Sequence, residues 1–180
     1  MALAAKTMPE QERRKVFAAG LAAQEWPAGR LLITAVDAES GEFRAFDAAS
    51  GAGLVDAVAA SCAVPGIWPP VTIGGRRYID GGMRSPANVD LAAGHERVVV
   101  IAPLARGFGR LTGVARQVAA LGGGPQVAVI EPDQAALKAI GRNVLNPARR
   151  APAARAGHAQ AAAVAARVAA VWSSDLPARP

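Results

Sequence analysis

Residues 98–102 read VVVIA, an apolar run with no polar break. A strand without a polar face must be covered on both sides, the condition of a parallel sheet under helices. A second such run, VAVI, follows at 127–130. Helical patterns at 111–121, 134–140 and 151–172 alternate with these runs, and the last carries a stripe of Val164, Val168 and Val171 on an alanine scaffold. Strand, helix, strand, helix predicts an α/β domain with a mostly parallel sheet.

The first half is punctuated differently. Residues 7–23 read as a helix, with Thr7 as N-cap, Pro9 in the first turn and Glu10 completing a capping box. Residues 31–36 form an apolar strand, DAESGE a turn and FRAF a second strand. A helix over 54–62 places Val55, Val58 and Cys62 on one face, with Ser50 as its cap and Pro65 and Gly66 as its stop. Two short strands, 71–73 and 77–79, flank a turn at Gly74 and Gly75.

The chain has 180 residues, which suits one domain over 1–180 with residues 147–180 as a basic linker and C-terminal helix. Aromatic residues make up 4%, so the core must be built from Ala, Val, Leu and Ile. The net charge is +6, and seventeen of the twenty basic residues are arginine. The arginines are scattered and do not interleave with aromatics, so nucleic acid is not the expected partner. Cys62 is the single cysteine; it forms no internal disulfide and no Cys/His zinc cluster, which suits a reducing cytoplasm. No run of about 18 apolar residues is long enough to cross a membrane. The N-terminus lacks the apolar centre of a secretory signal. The expected location is cytoplasmic, with peripheral contact to a membrane.

The segment GGRRYIDGGMRSPAN, residues 74–88, holds the main candidate. Asp80 ends a short strand and precedes Gly81 and Gly82. Such an aspartate can bond the following amides as a turn residue. It can also face a cleft at a strand end and act as a base. The wider stretch DAVAASCAVPGIWPPVTIGGRRYIDGGMRSPANVDLA, residues 56–92, resembles the patatin-like phospholipase family, and the resemblance extends to LLITAVDAESGEFRAFD and RVVVIAPL. The resemblance implies an α/β/α sandwich and a Ser–Asp dyad without a histidine. It implies a lipid or other ester as substrate, no cofactor and no metal. Asp80 maps to the general base, and Asp80, Gly81 and Gly82 map to the Asp-Gly-Ala/Gly motif.

The chain departs from that pattern upstream. It contains no G-x-S-x-G elbow and no G-x-G-x-x-G oxyanion loop, so no nucleophile is assigned. Ser50 in DAASGAG is the nearest imitation and is better read as a cap. Ser61 ends a helix rather than starting one. The expectation is therefore the C-terminal portion of a patatin-like domain, incomplete at its N-terminus and inactive alone, with a catalytically dead scaffold as the alternative. His95 and His158 read as a loop and a helix residue. Cys62 reads as a buried helical position. Asp37, Asp47 and Asp56, with Glu39 and Glu42, match no calcium-loop spacing and read as turn and cap residues. Asp90 suits the start of a short helix, and Arg84 and Asn88 can order the Asp80 loop. The arginine-rich last third is suited to peripheral contact with an anionic membrane surface.

Overall fold

The computed structural model describes residues 7–104 and 111–173. The chain divides into two compact units, Met1–Asn88 and Val89–Pro180. In the first, helix α1 (Glu10–Gly20) precedes strands β1 (Ile33–Asp37) and β2 (Phe43–Phe46), helix α2 (Leu54–Ser61), and strands β3 (Val71–Ile73) and β4 (Arg76–Asp80). A 3-10 turn, Gly81–Met83, follows β4 directly. The second holds β5 (Arg97–Ile101), α3 (Val114–Ala119), β6 (Gln126–Ile130), α4 (Gln134–Ile140) and the long α5 (Arg150–Ser173).

The α/β class holds, and the two units divide the strand geometry between them. β5 and β6 pair in parallel, with Val98 opposite Val127 and Val100 opposite Val129. The crossover that this pairing needs contains α3. The first sheet has the order β2-β1-β4-β3 and is antiparallel throughout, unlike the mostly parallel expectation. Its turns explain this. Gly74 and Gly75 have φ of 58° and 78°, the two-residue hairpin geometry that reverses a chain at once. Asp37 folds the link from β1 to β2: its Oδ1 accepts from Glu39 N (2.9 Å) and Ser40 N (3.0 Å). Neither link is long enough for a parallel crossover.

The core of the first unit is mostly alanine. Ala35, Ala52, Ala57, Ala59, Ala60 and Ala63 pack with Phe46, Val71 and Tyr78. Small side chains let α2 lie close on the sheet. Phe46 and Tyr78 fill the remaining space edge to face, with centroids 5.0 Å apart. Trp26 packs on this core and donates its indole N–H to Ala52 O at 2.8 Å.

Several local expectations change. Thr7 does not open α1; the N-cap is Pro9, and no side chain caps it. Glu10 instead reaches β3, accepting from Thr72 N (2.6 Å) and Thr72 Oγ1 (3.0 Å). A carboxylate in a first helical turn can satisfy any nearby donor, and the strand edge competes successfully with the cap. Gly53, not Ser50, stands at the N-cap of α2. The helix expected over 111–121 is shortened to Val114–Ala119. β5 is not buried on both faces: Val98 and Val100 are inside, while Ile101 is 71% exposed.

Among the described residues of the first unit, Asp37 is the buried acid, and Arg76 Nη1 donates to its second oxygen at 3.2 Å. The amides of Ser40 and Glu39, then Arg76, hold its carboxyl below the usual aspartate range. A lowered folded pKa stabilises the fold above the unfolded value, and this is lost as pH falls through the folded one. Asp37→Ala is therefore expected to lower the melting temperature at neutral pH. Its deficit against wild type should shrink as pH falls from the ordinary aspartate range through the folded pKa, below which the carboxyl is protonated in both states. A deficit independent of pH would show that the charge contributes nothing.

Candidate active site

Asp80 is the last residue of β4, paired opposite Ala35 of β1. Its backbone N–H donates to Ala63 O at 3.1 Å, which ties the strand end to the chain leaving α2. Its side chain caps the 3-10 turn, with Oδ1 accepting from Gly82 N at 2.7 Å. The turn expected after the strand is thus a capped 3-10 turn that begins at Gly81.

Gly81 is fixed by space rather than by backbone angle. A Cβ there would collide with Thr34 Oγ1 and Thr34 O, and would lie 2.7 Å from the Thr34 carbonyl carbon. At Gly82 a Cβ would stand 2.9 Å from Asp80 Oδ1, the end of a side chain that can shift. The first glycine lets the loop pass against β1. The second leaves room for the carboxylate over its own turn.

Asn88 orders the far side of the loop. It takes a left-handed backbone, φ 46°, which asparagine tolerates. Its Nδ2 donates to Ser85 O (3.1 Å), Gly81 O (3.4 Å) and Thr34 Oγ1 (3.4 Å). Arg84 Nη1 donates to Asn88 Oδ1 at 2.9 Å. Both residues have the loop-ordering role that the sequence suggested for them.

The electrostatics suit a base. Burial pushes the Asp80 carboxyl above its ordinary value, and the Gly82 amide offsets this only in part. A carboxylate made more basic by desolvation is a better proton acceptor near neutral pH. Among the described residues, no serine hydroxyl bonds to it. Ser50 is occupied in its own turn, with Oγ donating to Asp47 O at 2.6 Å, and Ser61 closes α2.

Cys62 is exposed, not buried as its position on the helical stripe suggested, because α2 stops one residue before it. The crowding of its thiol pushes the pKa up, the Asp80 carboxylate adds to this, and Arg13 opposes it. A thiol held in its protonated form is a poor nucleophile. Arg13 was not anticipated. Its guanidinium lies 3.6 Å from the Trp68 ring centroid and 4.5 Å from that of Phe17. The Arg13–Phe17 spacing of four was a readable helical pair; the Trp68 contact across the fold was not.

The remaining candidates lie elsewhere. His95 is exposed, with Nδ1 3.2 Å from Ala92 O, and His158 is exposed on α5. Asp47 accepts from Ala49 N at 3.1 Å, Asp56 pairs with Arg14, and Glu39 pairs with Arg77 at 3.1 Å. These are turn and surface roles. The second unit has a cavity of about 360 Å³ at the carboxyl ends of β5 and β6. Among the described residues that line it, Glu131 is the one titratable side chain, and the rest are apolar, glycine or Gln160. No helix among the described residues is long and apolar enough to cross a membrane.

Asp80 thus ends a strand before two glycines, with a desolvated carboxyl, in an α/β chain. Residues 2–93 match the profile of patatin-like phospholipases, and the chain belongs to that family of lipid acyl hydrolases. No curated protein matches the chain by sequence.

Proposed function

We propose that this chain provides the base half of a patatin-type acyl-hydrolase site, with Asp80 accepting the proton of a serine nucleophile. The observation that carries this reading is the placement of Asp80: at a strand end, half-buried, with its pKa raised and its turn shaped by two glycines. A serine hydroxyl needs such a base within hydrogen-bond reach before it attacks an ester carbonyl. The attack forms the acyl–oxygen bond to serine and expels the alcohol. Asp80 would return the proton to that alcohol, then activate the water that releases the acid. Oxyanion donors, each worth about 3–4 kcal/mol in such sites, are not assigned in this chain.

The sequence has no G-x-S-x-G, and no serine bonds to Asp80 among the described residues. The 180-residue chain should therefore hydrolyse a p-nitrophenyl ester no faster than a protein-free blank. A fluorophosphonate probe, which labels activated serines, should leave it unmodified. Stoichiometric labelling at Ser50 or Ser61 would overturn the assignment. The same absence favours a second reading, a scaffold that keeps the fold without the chemistry. A form of the protein carrying the elbow separates the two, since only the first predicts hydrolysis that depends on Asp80.

A further inference from the structure

We propose that the loop joining α4 to α5 docks this chain on the surface of an anionic lipid bilayer. Charge is the first observation. Between Asp133 and Asp175 the sequence has no acid, but it has Lys138, Arg142, Arg149, Arg150, Arg155 and Arg167. Arg142, Arg149 and Arg150 stand on the two sides of the loop, all exposed.

Exposed apolar surface is the second. Val144 and Leu145, at the loop tip, are 52% and 51% exposed, and Leu137 on α4 is 51% exposed. The loop's polar side chains are meanwhile turned on its own backbone. Asn143 Oδ1 accepts from Leu145 N at 3.1 Å, and Asn146 Oδ1 accepts from Ala148 N at 3.0 Å. Asn146 N donates to Asn143 O (3.1 Å) and Arg149 N to Asn146 O (3.0 Å), which closes the turn. Two asparagines thus hold a tight loop whose apolar side chains face solvent, the reverse of an ordinary surface turn. Arg149 lies back over Gly141, its Nε 3.5 Å from where a Cβ would stand.

An exposed apolar pair with exposed cations on either side of it in the chain matches the chemistry of a bilayer interface. The pair enters the boundary between headgroups and acyl chains, and the cations meet lipid phosphates. A nucleic acid would use the same cations but would leave Val144 and Leu145 in water. The inference does not depend on Asp80, and its test reads binding rather than hydrolysis.

The test is co-sedimentation of the full chain with vesicles of phosphatidylcholine alone, or with about 30% phosphatidylglycerol, in about 0.1 M salt. Binding is expected to the anionic vesicles and to weaken at about 0.5 M salt. The triple variant R142Q/R149Q/R150Q should partition about 100-fold more weakly, at about five-fold per cation. V144D/L145D should lose at least about tenfold. Arg30→Gln removes an exposed charge from the first unit and should bind as wild type, which separates a local patch from net charge. All these side chains are exposed, and melting curves check that each variant folds. Equal binding to neutral vesicles, or no binding to anionic ones, would overturn the proposal. So would wild-type binding by V144D/L145D. A duplex DNA oligonucleotide bound through the three arginines but indifferent to V144D/L145D would assign the surface to nucleic acid instead.

Discussion

Gly81→Ala is expected to destabilise the first unit by about 3 kcal/mol or more, near the upper end for overpacking. In a chain of this size that is roughly 6–12 °C in melting temperature. The reason is the identity of the atoms in the way. The added methyl would meet the Thr34 carbonyl group as well as its hydroxyl. The hydroxyl can rotate away, but the carbonyl belongs to β1, which is paired on both edges, to β2 and to β4. Relief requires the 3-10 turn to lift off the sheet, which strains the Asn88 bonds to Thr34 and Gly81. Gly82→Ala is the matched control. Its methyl would press only on Asp80 Oδ1, and its cost should be about 1 kcal/mol or less. A Gly81→Ala variant that melts within about 2 °C of wild type would mean that the turn tolerates far more movement than its contacts imply.

Much of this site was legible in the sequence because its determinants are local. Asp80, Gly81 and Gly82 are adjacent, and a strand end followed by small residues leaves few conformations. The hairpin at Gly74 and Gly75 and the helix Gln134–Ile140 were readable for the same reason. What could not be read was decided across the fold. Glu10 had a good local partner in a capping box, yet it bonds to Thr72. The antiparallel pairing of β1 with β4 joins residues 41 to 45 apart in sequence, beyond the reach of periodicity. Cys62 sat on an apolar stripe and is exposed because α2 ends at Ser61. The unbroken run of β5 promised burial on both faces, but hydrophobic character states a preference for cover and does not supply it. Ile101 remains in solvent.

Asp80→Asn should separate chemistry from stability, in a form of the protein that carries a G-x-S-x-G elbow. The substitution keeps the size of the side chain and an oxygen that can accept from Gly82 N. It removes the group that takes the serine proton, so kcat on a short-chain ester should fall at least ~100-fold. Stability should move the other way or not at all. Burial raises the Asp80 pKa, so the folded state binds this proton more tightly than the unfolded chain does. A raised carboxyl pKa means that ionisation opposes folding, and the penalty is fully present above the folded pKa. The amide avoids that penalty at neutral pH. Asp80→Asn should therefore melt at or above the wild-type temperature near pH 7, and the advantage should vanish as pH falls below the ordinary aspartate range. The activity of the wild type should decline over the same descent, as the base becomes protonated. Asp90→Asn, on an exposed 3-10 turn, should retain most of its kcat. An Asp80→Asn variant with full kcat would reduce the carboxylate to a turn residue. One that lost activity and melting temperature together would place Asp80 among the residues that hold the fold, since a catalytic base kept at a cost to stability predicts the opposite sign.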